Sequence, residues 1–565
     1  MEQPRFRAAR IRDDSTASTE KGDFMGFRIS AAALAACIAA SSASADVTIS
    51  SHATKNMSCS AGLCAPTAAT AFLNAGDLQT MLASSGVTVK SNAAAPDIHV
   101  ALALSWASSN TLTLDSYHAI TIERPISVTG TGGLTILTDD GGTGGDYSFT
   151  ATGHAIFWDT GSSLTINAQS YTLVASIAAM ASGYAAVPSG NFALANDYDA
   201  APDGTYAQAP IAGTVSGNFE GLGNTISNLS IRYHGNTRQN IGLFATVNGG
   251  TIRDLNLRHA KVMARPRPEG GAQAGTLVGQ ISGTVLNDTA VGAVSVFPSP
   301  TVGAGDAGGL VGVHQGGAIV NSSFDGTVSA GRAVAGGLAG QVVDTQVTRS
   351  SSTATVNGTA EQGGLVGIAT NSTFLLDRAT GGVGGAATCC SGGLIGLIIG
   401  TQVSQSYATG SVLTDVSSFA GGLVGWSEQD SAVLESYALG AVTGRKNSHV
   451  GGLVGDNRFN HAPSIAQAYS TGAVSATGGG TRLLVGGSIG FDKTMSVQSS
   501  YWDLDASGIS DPSQGAGSPA NDPGITGLSD AALKSGLPSG FDPGVWGSNP
   551  AINGGLPYLL ALPPS

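Results

Sequence analysis

Charge is scarce in this chain. Only 11% of its 565 residues are charged, and the formal balance is −13. No basic cluster runs through the body, so no nucleic-acid partner is expected. Aromatic residues make up 6% and prolines number 21. Low charge combined with 42% hydrophobic residues excludes a disordered polymer. Glycine is abundant, at 82 residues, but it follows no Gly-x-y period, which excludes collagen. No apolar run is long enough to span a bilayer. What remains is a chain rich in Gly, Ala, Ser, Thr and Val, the composition of many short strands joined by tight turns. It is too long for one ordinary globular core.

The N-terminus carries an export signature. Residues 25–45 read MGFRISAAALAACIAASSASA. Arg28 is a positive lead, Ile29 to Ala40 an apolar run too short to cross a membrane, and Ala43-Ser44-Ala45 an A-x-A cleavage site. Residues 1–24 are then a leader or a mis-assigned start, and 25–45 a signal peptide. Leu34-Ala35-Ala36-Cys37 also fits a lipoprotein box, and only lipidation of Cys37 would anchor the chain to a membrane. Of the five cysteines, Cys59 and Cys64 in CSAGLC are expected to form a local disulfide in an oxidising compartment. A metal site shared with His52 lacks a fourth ligand. The adjacent Cys389 and Cys390 are read as small apolar fillers, with a vicinal disulfide the alternative.

A short inert string dominates the rest. GGLVG stands at 421–425, with close copies at 308, 336, 363, 392 and 451. Its leucine falls at Leu243, Leu277, Leu310, Leu338, Leu365, Leu394, Leu423 and Leu453, with Ser488 in the ninth copy, 27 to 35 residues apart. From Leu277 to Leu453 a valine follows each leucine at a nearly constant 17 to 21 residues: Val294, Val328, Val356, Val383, Val412, Val442 and Val474. Two marks that keep step while spacing varies elsewhere define one repeated unit with loops absorbing the insertions. Each unit of about 28 residues is read as three strand-like pieces, such as GGLVGW, SAVLESYA and LGAVTG, with no helical stripe. This predicts an all-β fold, a parallel β-helix in which like positions stack in columns. The residue after each leucine is also apolar, so a bend could bury both. Tyr407, Tyr437 and Tyr469 lie five residues before their valines and are expected to stack as a ladder, extended by Tyr501. Facing out it is a candidate ligand-stacking face; facing in it is packing, the favoured reading.

The expected organisation is an N-terminal cap at 46–85, irregular β-helix at 86–235, the repeat at 236–505 and a C-terminal tail at 506–565 packed around Trp546 and Tyr558. The cap holds the Cys59–Cys64 staple and a short amphipathic helix over 71–82. A second short helix is expected at 175–184.

The repeat GGLVGWSEQDSAVLESYALGAVTG resembles the GLUG motif of secreted bacterial proteins, found in adhesins of the filamentous-haemagglutinin type and in some immunoglobulin-A peptidases. FEGLGNTISNLSI (219–231), the block around Cys59 and Cys64, and the ending INGGLPYLL are similar to the same group. The resemblance implies a right-handed β-helix, export, and a cell-surface or extracellular role in adhesion. An Asn-Pro-Asn transport motif, a β-barrel translocator and a cell-wall sorting signal are not found. An outer-membrane translocator is therefore a candidate export partner.

Catalytic motifs are few. His-Glu-x-x-His is absent, since none of the nine histidines precedes Glu. Asp139-Asp140 and Asp197/Asp199 are candidate paired carboxylates for glycoside chemistry, but both sit in turn-like sequence. GGTGGDYSF (141–149) is read as a turn rather than a calcium nonapeptide, and His118 and His154 as hydrogen-bonded rung residues. The expected protein is an adhesin-like binder or scaffold for a host or matrix surface, with glycan a candidate ligand. It is expected to have no cofactor, metal or catalytic residue and no enzymatic activity. The alternative is a polysaccharide-degrading lyase or hydrolase on the same fold.

Overall fold

The computed structural model describes residues 45–266, 271–297, 305–458, 464–493 and 495–564. The leader, the signal segment and Cys37 lie outside the described residues. Half of the chain is strand, wound into a β-solenoid of about 15 turns of about 29 residues. Among the described residues no helix is long and apolar enough to cross a membrane.

The repeated string fixes the stacking. Val278, Val311, Ala339, Val366, Ile395, Val424, Val454 and Ile489 are Cα partners in succession, all in parallel register. The residue before each, a leucine in all but the last, is bonded rung to rung through its backbone. Leu394 N–H donates to Leu423 C=O at 2.8 Å, and Leu423 N–H to Leu453 C=O at 2.9 Å. All eight leucine side chains and the residues that follow them are buried. Both can be buried because Gly-Gly-Leu is a bend: one strand ends at Phe419–Gly421 and the next opens at Val424–Glu428. The rung therefore has more pieces than the three expected. Phe419–Gly421, Val424–Glu428, Ala432–Leu434, Tyr437–Ala438 and Val442–Gly444 make five short strands in the 421 repeat. In earlier rungs some fuse into longer ones such as Phe244–Arg253 and Asn256–Ala264.

Corners carry the polar residues. Asp254, Asn287, Asn321, Arg349, Leu376, Gln405, Glu435, Gln467 and Ser499 form one column with φ between 46° and 62°. A left-handed residue turns the chain there and breaks the sheet ladder, leaving the next N–H without a strand partner. The residue after it supplies one. Ser322 N–H donates to Ser350 Oγ (3.3 Å), Ser350 N–H to Asp377 Oδ1 (2.7 Å), Asp377 N–H to Ser406 Oγ (3.1 Å) and Ser406 N–H to Ser436 Oγ (3.1 Å). Each serine hydroxyl in turn donates to the carbonyl two residues back, as Ser406 does to Ser404 at 2.8 Å. Burial holds the Asp377 carboxyl well above the usual range. A second ladder, Thr345–Ser372–Thr401–Ser431, works the same way.

At the N-terminal end, Met57–Ser60 and Leu63–Pro66 form an antiparallel hairpin joined by the Cys59–Cys64 disulfide. The helix expected over 71–82 is displaced. Ala71–Asn74 is a strand beside Val47–Ser50, and helix α1 (Ala75–Ser84) starts where Asn74 Oδ1 accepts from Gly76 and Asp77 N–H. Ala75, Leu78 and Leu82 seat it on the core. Helix α2 (Ile177–Ala186), capped by Ser176, packs Ile177, Met180 and Tyr184 inward. At the other end, Ile525–Leu528 pairs with Val497–Asp503, and the chain then leaves the coil.

Candidate functional site

One outward column runs through ten rungs. Thr225, Asn256, Thr289, Ser323, Ser351 and Arg378 are successive Cα partners, followed by Tyr407, Tyr437, Tyr469 and Tyr501. Its neighbours on the chain, Ala379, Ala408 and Ala438, point into the core. The column is polar for six rungs and aromatic for four.

The aromatic half is not a ligand face. Tyr407, Tyr437 and Tyr469 stack with ring centroids 4.8 and 5.1 Å apart, but each is at most 1% exposed. They point away from the coil interior and are covered by the chain's own tail. Leu533, Phe541, Trp546, Leu556, Leu559 and Leu562 close over them in a cluster separate from the coil core. Tyr469 Oη donates to Pro557 C=O and Tyr501 Oη to Ser539 C=O, both at 2.6 Å. The expected candidate role in ligand stacking is therefore corrected: a third layer occupies the face.

The polar half stays open and floors a groove of about 920 Å³. The left-handed column Asp254, Asn287, Asn321 and Arg349 forms one wall, and Arg258, two residues past Asn256, stands across the floor from it; the loop at 148–152 with His154 and Asp197 closes one end, and Leu562 of the tail the other. The first three residues of the wall are tied in series. Asn321 Nδ2 donates to Asn287 Oδ1 (2.8 Å), and Asn287 Nδ2 to Asp254 Oδ1 (3.1 Å). On the floor, Thr289 Oγ1 donates to Asn256 Oδ1 at 2.6 Å.

Behind the wall lies a buried charged cluster. Arg253 Nε donates to Asp254 Oδ2 at 2.6 Å, its Nη2 to Tyr147 C=O at 2.9 Å, and its guanidinium lies 3.8 Å over the Tyr147 ring. Tyr147 Oη donates to Glu220 Oε2 at 2.5 Å, and Leu222 N–H to Glu220 Oε1 at 3.0 Å. Burial, then the nearby Asp254 charge, pushes the Glu220 carboxyl up to about 8. Burial also raises Asp254, against the pull of Arg253. A raised carboxyl means the folded state holds a proton that the unfolded chain has lost. The stability this proton contributes is full below the ordinary value of 4.5 and declines as pH rises through about 8. Glu220→Gln keeps an acceptor for Tyr147 and removes the titration. It is expected to flatten the fall in urea midpoint between about pH 5 and 8. An unchanged slope would place the titration elsewhere.

The remaining candidate residues scatter. Asp139, at φ 67°, caps its turn by accepting from Thr143 and Gly144 N–H, while Asp140 pairs with Lys90 at 2.7 Å. Asp197 borders the groove and accepts Thr225 N–H at 2.7 Å; Asp199 holds Asn228 instead. His118 sits 2.7 Å from Asp97. Cys389 and Cys390 are free thiols, with a Glu361 oxygen close enough to make three candidate donors within 4.8 Å. Sequence reasoning missed the polar floor, although its signal was present. Counting back five residues from Val294, Val328, Val356 and Val383 lands on Thr289, Ser323, Ser351 and Arg378, the rule that located the tyrosines.

No protein-family model and no curated protein matches the sequence. Two solved structures share the architecture weakly. One, named "IgA1 Protease", is 15% identical at TM-score 0.32, over 53% of this chain and 22% of that one, so the chain spans about a fifth of its length. The other, "a putative immunoglobulin A1 protease from Bacteroides ovatus", is 17% identical at TM-score 0.32, over 55% of this chain and 84% of that one. Both bear the name of an enzyme, so the expectation that the chain has no enzymatic activity is withdrawn. Likeness at this level supplies no catalytic residue and assigns no reaction.

Proposed function

We propose that the chain is an exported, adhesin-like β-solenoid of the GLUG-repeat type that holds a linear glycan in the groove on its flank, at a cell surface or in the surrounding matrix. The signal-like segment at 25–45 and the repeat string support export and kinship. The observation that carries the binding role is the open polar half of the outward column. Six rungs offer hydroxyl, amide and guanidinium groups in line, about 4.8 Å apart, which suits a polyhydroxylated chain laid along the coil. Each contact is modest, and their repetition along one polymer supplies affinity through avidity. The purified protein is expected to bind polysaccharide in affinity electrophoresis, and Ser323→Trp, which fills the groove floor, to weaken that binding about tenfold or more. Equal retention of wild type and variant would remove the groove from the proposal.

A second reading is favoured by the buried carboxyls beside the groove. Asp254 lines it and, with Glu220, has raised proton affinity, a feature that clusters at catalytic sites. A polysaccharide-degrading activity would appear as reducing ends or unsaturated sugars accumulating at substoichiometric protein, and would be lost in Asp254→Asn.

A further inference from the structure

We infer that the groove selects an anionic polysaccharide, one bearing carboxylate or sulfate groups among its hydroxyls; this rests on the glycan-groove reading above. Arg258, Arg349 and Arg378 all line the groove, and none has a side-chain hydrogen bond or ion pair among the described residues. In a chain with 38 acidic against 25 basic side chains, guanidiniums ordinarily find carboxylates. Here the carboxylates in reach are otherwise engaged. Asp254 is held by Arg253 and Asn287, and Asp197 accepts a backbone N–H. The groove is therefore a locally positive strip on an acidic molecule, and its forks match planar oxyanions.

Spacing narrows the ligand. Arg349 stands on the rung of Ser351 and Arg378 on the next, while Arg258 is on the rung of Asn256, three rungs before Arg349. At about 4.8 Å per rung the three charges spread over roughly 19 Å. Thr289, Ser323 and Asn321 fill the interval with neutral donors and acceptors. A nucleic acid strand carries a phosphate every ~3.4 Å and wants aromatic faces for its bases. This groove is sparser in charge, and the tyrosines that could stack bases lie beneath the tail. An acidic polysaccharide, with anionic groups set among hydroxyls, fits both counts.

The test uses substitutions already tolerated in the same columns. Arg349→Asn copies Asn287 and Asn321 at a left-handed position, and Arg378→Ser copies Ser351 and Ser323. The full chain and this double variant would be titrated against polygalacturonate, dextran sulfate, dextran and single-stranded DNA. Wild type is expected to prefer both acidic polysaccharides to dextran, with affinity falling as salt rises. The double variant should lose about tenfold or more toward the acidic polymers and little toward dextran. Preference for DNA, or acidic binding untouched by the double variant, overturns the inference. Equal binding of acidic and neutral polymers overturns it while leaving a glycan groove in place. Binding to no polysaccharide sinks both.

Discussion

Gly422→Ala is expected to destabilise the centre of the coil by about 3 kcal/mol or more, as much as deleting a core leucine. A Cβ on Gly422 would sit 2.1 Å from the carbonyl oxygen of Gly452 and 2.9 Å from Ala438 Cβ. The same holds at the equivalent glycine of neighbouring rungs: 2.0 Å for Gly337 and Gly393, 2.1 Å for Gly364. Relief would need one rung to move off the next. Leu394, Leu423 and Leu453 are bonded backbone to backbone across that step at 2.8 and 2.9 Å, so the clash is met by lost hydrogen bonds rather than by adjustment. Gly213→Ala is the control, because nothing lies within 4 Å of a Cβ built there. Urea midpoints of the two variants, with hydrogen exchange to locate the loss, decide the matter. Solenoids need not unfold in one step, so the exchange pattern matters as much as the midpoint. If both variants unfold together, rung contact is not what the doubled glycine serves.

That result would explain why the solenoid was legible in the sequence. GGLVG marks a bend where the first two positions have no room for a side chain and the next two are both buried. Such a constraint recurs every turn and leaves a visible period. The serine ladders were not legible, because Ser350 and Ser406 act on N–H groups 28 and 29 residues away and look locally like turn filler. Nor was the count of strands in a rung, since residues such as Tyr437–Ala438 are too short to show alternation. Periodicity places Tyr407, Tyr437 and Tyr469 on one face but is silent on a third layer arriving from the tail. The groove went unread for a related reason. Thr289, Ser323 and Ser351 are ordinary hydroxyls in a chain rich in them and Arg378 is of another type, so only register unites the column.

Trp546→Ala is expected to release that third layer without unwinding the coil. Trp546 is 1% exposed and lies 5.9 to 6.1 Å from Tyr469 and Tyr437 and 4.7 Å from Phe541, ring centre to ring centre. Beyond Ile525–Leu528 the tail pairs with no described strand of the coil. Its attachment therefore rests on this apolar cluster and a few bonds such as Tyr469 Oη to Pro557 C=O. Truncating a buried Trp costs about 3–5 kcal/mol, most of what a short segment can hold. Because the coil core is a separate cluster, the loss should appear as local opening. Proteolysis within 529–564 should then accelerate about a hundredfold or more, while amides between 305 and 458 keep their protection. Tyr407, Tyr437 and Tyr469 would become an exposed stacked strip, so apolar-dye binding or self-association should rise together with cleavage. Protection lost equally in tail and coil would mean that the tail is part of the solenoid's own core, and the ladder would then be internal packing rather than an outer face kept covered.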